Sequence, residues 1–143
     1  MTSIGSFSRD AVLTHARHIP DIANRVVSTS VPCLTFESLC RKHGVRYQAF
    51  SPLAGGWLAG RYTRGEPFPP GSRMALRPGL YSSVQQDQAW DLLDKLRADA
   101  EARGVDMATL ALAWALKRVD SVVVGPRRPE HLVPALQALT IAA

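Results

Sequence analysis

An α/β fold with parallel strands is predicted by three features of this 143-residue sequence. Strand and helix signals alternate along the chain, each strand signal runs into a turn rich in glycine or proline, and residues 121–124 (SVVV) are apolar on both faces. A strand without a polar face is expected where helices cover both sides of a parallel sheet.

Taken in order, Ser8 can cap a helix over residues 9–17 with Ala11, Val12, His15 and Ala16 on one face, which Pro20 and Asp21 end. Residues 22–29 (IANRVVST) read as a strand. Thr35 caps a helix running to His43, with Phe36, Leu39 and Cys40 on its buried side and Gly44 as its stop. Val45, Tyr47 and Ala49 then alternate with Arg46, Gln48 and Phe50, the period of a strand, until Ser51 and Pro52 end it. Residues 51–80 hold five prolines and six glycines and read as one long loop, a functional lid or a linker.

Ser82 with Gln85 forms a capping-box pattern, and Ala89, Leu92, Leu93, Leu96 and Ala100 continue at helical spacing to a stop at Gly104. Asp106 caps a helix over 107–118 with Leu110, Ala111 and Trp114 facing inward, while Lys117 and Arg118 complement the negative end of its dipole. After strand 121–124 and Gly125, a helix from Pro129 carries Leu132, Leu136 and Leu139 on one side. Pro134 requires that helix to be kinked or to begin later than the leucine pattern implies.

Length allows one modest domain, and seventeen basic against twelve acidic residues give a net charge of +5 and a pI near 9.8. Such a balance favours anionic partners such as nucleotides or phosphorylated metabolites. Cys33 and Cys40 lack the spacing of a disulfide framework or a zinc site, which fits a reducing cytoplasm, and His15 with His18 lacks the further ligands that a metal needs. The opening MTSIGSFSRD has neither the basic lead nor the apolar run of an export signal, and no eighteen-residue apolar window exists to span a membrane. A nucleic-acid-binding module is disfavoured, because the arginines are scattered through loops with no aromatic interleaving.

Two turns carry chemistry. Leu53, Ala54, Gly55 and Gly56 follow a strand with almost no side-chain bulk, so successive backbone N–H groups can converge on an anion. Arg61, Arg64, Arg73 and Arg77 in the same loop form either a basic flap over that anion or a solvated surface. The second turn, VVVGPRRPEHL, sets Arg127 and Arg128 beside a helix N-terminus, an arrangement suited to a phosphate monoester unless both are simply exposed loop residues.

Strand, Ser51-Pro52-Leu53, Gly55-Gly56 and then Gly60-Arg61-Tyr62 together resemble the cofactor-binding turn after the seventh barrel strand of aldo-keto reductases. The turn at Gly125 is similar to the one after that family's eighth strand, which holds the 2′-phosphate of NADP. More weakly, SIGSFS and Asn24-Arg25-Val26 resemble segments after earlier strands. The resemblance implies the C-terminal half of a (β/α)8 TIM barrel over residues 34–143, with 1–33 a less closely matching strand and helix segment and 51–80 the long loop. It implies NADP(H) as cofactor, with Phe50 stacked on the nicotinamide and Ser51, Pro52, Leu53, Ala54 and Gly55 along the pyrophosphate. Arg61 and Arg73 fall at cationic contacts, Gly125, Arg127 and Arg128 at the 2′-phosphate, and His131 where the family places a glutamine near adenine.

Full-length members of that family reduce aldehydes and ketones with NADPH, using an Asp, Tyr, Lys and His from the first half of the barrel. No stretch here resembles their surroundings, so the expectation is that this chain has no catalytic residue of its own and binds NADP(H) at most. Tyr47, Tyr62 and Tyr81 lack a lysine or histidine at a spacing that would make one a general acid. A half barrel leaves strand edges open, so self-association or a partner chain completing the barrel is expected. The alternative is a non-catalytic regulatory or interaction subunit that keeps the cofactor site.

Overall fold

β-branched residues dominate two short segments, Val26–Thr29 (β1) and Ser121–Val123 (β3), and the alternating Arg46–Phe50 (β2) lies between them. The computed structural model describes residues 26–29, 34–79 and 87–142. The expectations for the first helix, His15, His18, Asn24, Arg25, Cys33, Tyr81 and the Ser82/Gln85 capping box fall outside them. The strands form one sheet in the order β1-β2-β3, and both pairings are parallel. Val26 is opposite Arg46 and Phe50 is opposite Val123.

Helices occupy the stretches between the strands, as parallel pairing demands. The first is α1 (Leu34–Lys42), where Glu37 and Arg41 pair one turn apart at 2.7 Å. It ends at Gly44, whose φ of 61° lets the Val45 N–H reach back to the Cys40 carbonyl at 2.9 Å. Next come α2 (Arg73–Leu76), α3 (Asp87–Ala102) and α4 (Met107–Leu116). A single 3-10 turn, Pro129–Leu132, then precedes α5 (Val133–Ala142). Pro134 is thereby second in α5 rather than deep inside a helix begun at Pro129, and its missing N–H belongs to a first turn that has no partner for it.

Tyr47 and Ala49 turn one face of the sheet toward a helical layer, where they are buried with Cys40 and Val119. Leu112, Ala113 and Ala138 lock α4 against α5, helped by a hydrogen bond at 3.1 Å from buried Thr109 Oγ1 to Gln137 Oε1. Trp114 departs from expectation: it is 47% exposed, with the Arg118 guanidinium 4.1 Å above its ring. Almost every residue of α4 is apolar, so its spacing marks no face; Leu112 and the small Ala111, Ala113 and Ala115 are buried while Trp114 is left outside. Leu92 is exposed for a related reason, since adjacent Leu93 is the one buried. Leu132, Leu136 and Leu139 are exposed as well.

The long loop is not featureless. Ala54–Ala59 forms a 3-10 segment, α2 is capped by the Ser72 hydroxyl, which accepts from the Ala75 N–H at 3.2 Å, and Trp57, Tyr62 and Met74 are buried with Trp90, Leu93, Ala100 and Met107. This second core fixes the loop against α3 and α4.

Candidate cofactor site

β2 stops at Phe50 because the next residues leave the extended region. Ser51 (φ 53°) and Ala54 (φ 47°) are non-glycine residues in left-handed conformation, followed by Gly55 (φ 68°) and Gly56 (φ 108°). Strain at two such residues costs on the order of 1 to 3 kcal/mol each, and it concentrates where a ligand is held. Inside the turn the Ala54 N–H bonds the Ser51 carbonyl and the Gly56 N–H bonds the Leu53 carbonyl, both at 2.9 Å. The N–H groups of Leu53 and Gly55 take no part in these bonds among the described residues.

The floor under the turn is aromatic. Trp57, 1% exposed, lies between the rings of Tyr62 and Trp90, with centroids at 4.8 and 4.9 Å, and Phe68 closes the edge. The Tyr62 hydroxyl donates to the Gly55 carbonyl at 2.8 Å. A Cβ on Gly56 would stand 3.3 Å from Arg61 Cδ, so the Arg61 chain lies against the glycine turn while the residue itself is exposed. Arg73 opens α2, which is joined to the turn through buried Met74, and is also exposed. Arg64 instead fastens the loop to α3, bonding the Asp87 carbonyl and Asp91 Oδ1, each at 2.7 Å.

The second turn leaves β3 from Val123, directly beside Phe50. Gly125, Arg127, Arg128 and His131 are all exposed there. Nothing lies within 4 Å of where a Gly125 Cβ would be, so packing within the described chain does not require glycine at that point. The Arg127 N–H donates to His131 Nδ1 at 3.3 Å, which ties the histidine to its own turn, and Arg128 approaches Glu130 only to 3.9 Å. At such exposure that contact contributes little.

Position along β2 and β3 also defines an open sheet face. Phe50 is 41% exposed, Val123 is exposed beside it, and behind them Gln48 Nε2 donates to Ser121 Oγ at 3.1 Å. Sequence reading singled out neither Gln48 nor Ser121; Gln48 falls on the polar alternation of β2, whereas Ser121 opens an otherwise apolar strand and carries no such sign. Tyr62, considered as an acid, is instead a buried donor to a carbonyl. No cluster of three metal-ligating side chains exists among the described residues.

The site is therefore a strained, bulk-free turn with arginine alongside, a donor set that fits a dinucleotide's phosphates. Ligand turns gathered at the carboxyl ends of parallel strands define a barrel or open-sheet α/β protein. Residues 30–142 match the model of the Aldo/keto reductase family, and the chain belongs to that family, whose fold is the TIM barrel and whose members are oxidoreductases. It is 40% identical over 105 residues to an L-glyceraldehyde 3-phosphate reductase of Escherichia coli, an alignment covering 69% of this chain and 30% of the relative. A probable voltage-gated potassium channel subunit beta of Arabidopsis thaliana is 32% identical over 110 residues, covering 74% and 33%. The chain thus spans about a third of the length of these relatives. Among solved structures, the glycerol dehydrogenase of Gluconobacter oxydans superposes with a TM-score of 0.65 over 93% of this chain and 42% of that one, at 19% identity, a likeness of fold. No helix among the described residues is long and apolar enough to cross a membrane.

Proposed function

We propose that this chain is the NADP(H)-holding, C-terminal half of an aldo-keto reductase barrel, and that on its own it binds the cofactor without reducing carbonyl compounds. The observation that carries this reading is the pairing of Phe50 with Val123, which brings the strained turn and the arginine turn to one end of adjacent strands. In this reading Phe50 meets the nicotinamide, residues 51–55 with Arg61 and Arg73 hold the pyrophosphate, Gly125, Arg127 and Arg128 take the 2′-phosphate, and His131 lies toward the adenine. NADPH bound there supplies a hydride. The name of the Escherichia coli relative supports an aldehyde as the substrate of the complete enzyme. Buried, free Cys40 suits a reducing cytoplasm.

A second reading, a cofactor-sensing interaction subunit without turnover, is favoured by the similarity to channel β subunits. Both readings share one test. Titration of the purified chain with NADPH, followed by nicotinamide fluorescence, is expected to saturate, with NADH binding more weakly. Absence of saturable binding of either dinucleotide rejects both.

A further inference from the structure

We propose that the Tyr62 hydroxyl is a positioning group that presets the turn over residues 51–56 for a pyrophosphate; the ligand's identity rests on the cofactor reading above. Gly55 (φ 68°, ψ 16°) and Gly56 (φ 108°, ψ −5°) share one peptide unit. Between two glycines that plane can rotate with little steric resistance, so the chain's own preferences leave its direction open. Two bonds fix it: the Gly56 N–H to the Leu53 carbonyl at 2.9 Å, and the Tyr62 hydroxyl to the Gly55 carbonyl at 2.8 Å.

Tyr62 is itself immobilised. It is buried, with its ring 4.8 Å from that of Trp57 and 5.4 Å from that of Phe68. Gly60, at φ 68°, reverses the chain so that Tyr62 and Arg61 both return to the glycine pair, and the Arg61 N–H bonds the Gly56 carbonyl at 3.2 Å. A Gly60 Cβ would stand 2.8 Å from Met107 Sδ, which keeps that reversal tight. With both carbonyls of the glycine pair engaged, the Gly55–Gly56 peptide that closes the turn holds one orientation before the anion arrives, and binding does not have to order it.

Tyr62→Phe keeps the ring and deletes the hydroxyl; Tyr62→Leu deletes both. Three readouts are taken on the whole chain: melting temperature, affinity for NADPH and for inorganic pyrophosphate, and the 15N amide resonances of Gly55 and Gly56. Tyr62→Phe is expected to melt within a few degrees of wild type while weakening both ligands by about three- to tenfold. Its two glycine resonances are expected to broaden or double as the peptide samples two orientations. Tyr62→Leu should lose stability as well, and restoring the ring with phenylalanine should recover stability without recovering affinity. Wild-type affinity and unchanged glycine resonances in Tyr62→Phe overturn the proposal. If the wild-type chain binds neither ligand, the cofactor reading fails, and the glycine resonances alone still decide whether Tyr62 sets the turn.

Discussion

Phe50 and Val123 are register partners in neighbouring parallel strands, so the chain leaves both strands at the same end of the sheet. One extended ligand can then touch both turns, and under the proposed cofactor reading the charge at the second turn would set which dinucleotide is preferred. Arg127→Ala/Arg128→Ala is expected to weaken NADPH by about ten- to a hundredfold and leave NADH nearly unchanged, because a charge-assisted contact contributes roughly 1.5 to 3 kcal/mol. Parallel fluorescence titrations decide it. An equal loss for both dinucleotides removes these arginines from the 2′-phosphate.

Gly56→Ala probes the first turn. At φ 108° any side chain is strained, and the new methyl would also meet Arg61 Cδ at 3.3 Å and the Tyr62 hydroxyl at 3.4 Å. A loss of about 1 to 3 kcal/mol in stability is expected, together with reduced NADPH affinity. Calorimetry showing an unchanged melting point would mean that the turn is not held in this conformation.

Catalysis requires a proton donor beside the carbonyl, worth about 10²- to 10⁴-fold, and neither tyrosine among the described residues is placed to serve as one. Tyr62 is committed to the Gly55 carbonyl, and Tyr47 is buried in the helix-facing core. The 143-residue chain is therefore expected to show no turnover of 4-nitrobenzaldehyde with NADPH. Exposed Phe50 and Val123 on the sheet, with Leu136 and Leu139 on α5, also predict a mass above the monomer by light scattering. Robust turnover by a monomer would contradict the assignment; turnover confined to an oligomer would indicate a barrel completed between chains.

Cys40 gives a pH dependence of defined sign. Burial, and secondarily the negative charge of Asp120, raise its thiol above the ordinary value of 9.0. The folded state thus holds this proton more tightly than the unfolded chain, so its contribution to stability is complete below pH 9.0 and lost as pH rises through the folded value. Urea melts from about pH 8 to 11 should fall more steeply for wild type than for Cys40→Ala, and alkylation of Cys40 at about pH 8 should be much slower in the native protein. Identical slopes for the two proteins would place the thiol in water.

Local pattern made part of this structure legible. Tyr47 and Ala49 alternate with polar neighbours, and β2 follows; Gly44 and Gly104 stop helices where left-handed glycine is needed. The turn at Gly55 and Gly56 was visible because consecutive glycines after a strand have few structural uses. What escaped notice depends on contacts distant in sequence. The aromatic floor uses Trp57, Tyr62, Phe68 and Trp90, whose spacing follows neither helix nor strand period. Gln48 and Ser121 are 73 residues apart and meet only through sheet register. In α4, apolar on every side, composition could not say that Trp114 would face outward, and only the packing of Ala113 and Thr109 against α5 decides it.

The Trp57–Trp90 contact makes the molecule its own optical gauge. Two indoles 4.9 Å apart and inclined at 64° have transition dipoles close enough to couple, so they should give a signed pair of circular dichroism bands that vanishes when either ring moves. Trp57 belongs to the 3-10 segment after the glycine turn and Trp90 to α3. Exposed Trp114 lies apart beneath Arg118 and should contribute only an uncoupled background. The amplitude of that couplet therefore reads out, without a label, whether the loop remains seated on its helix.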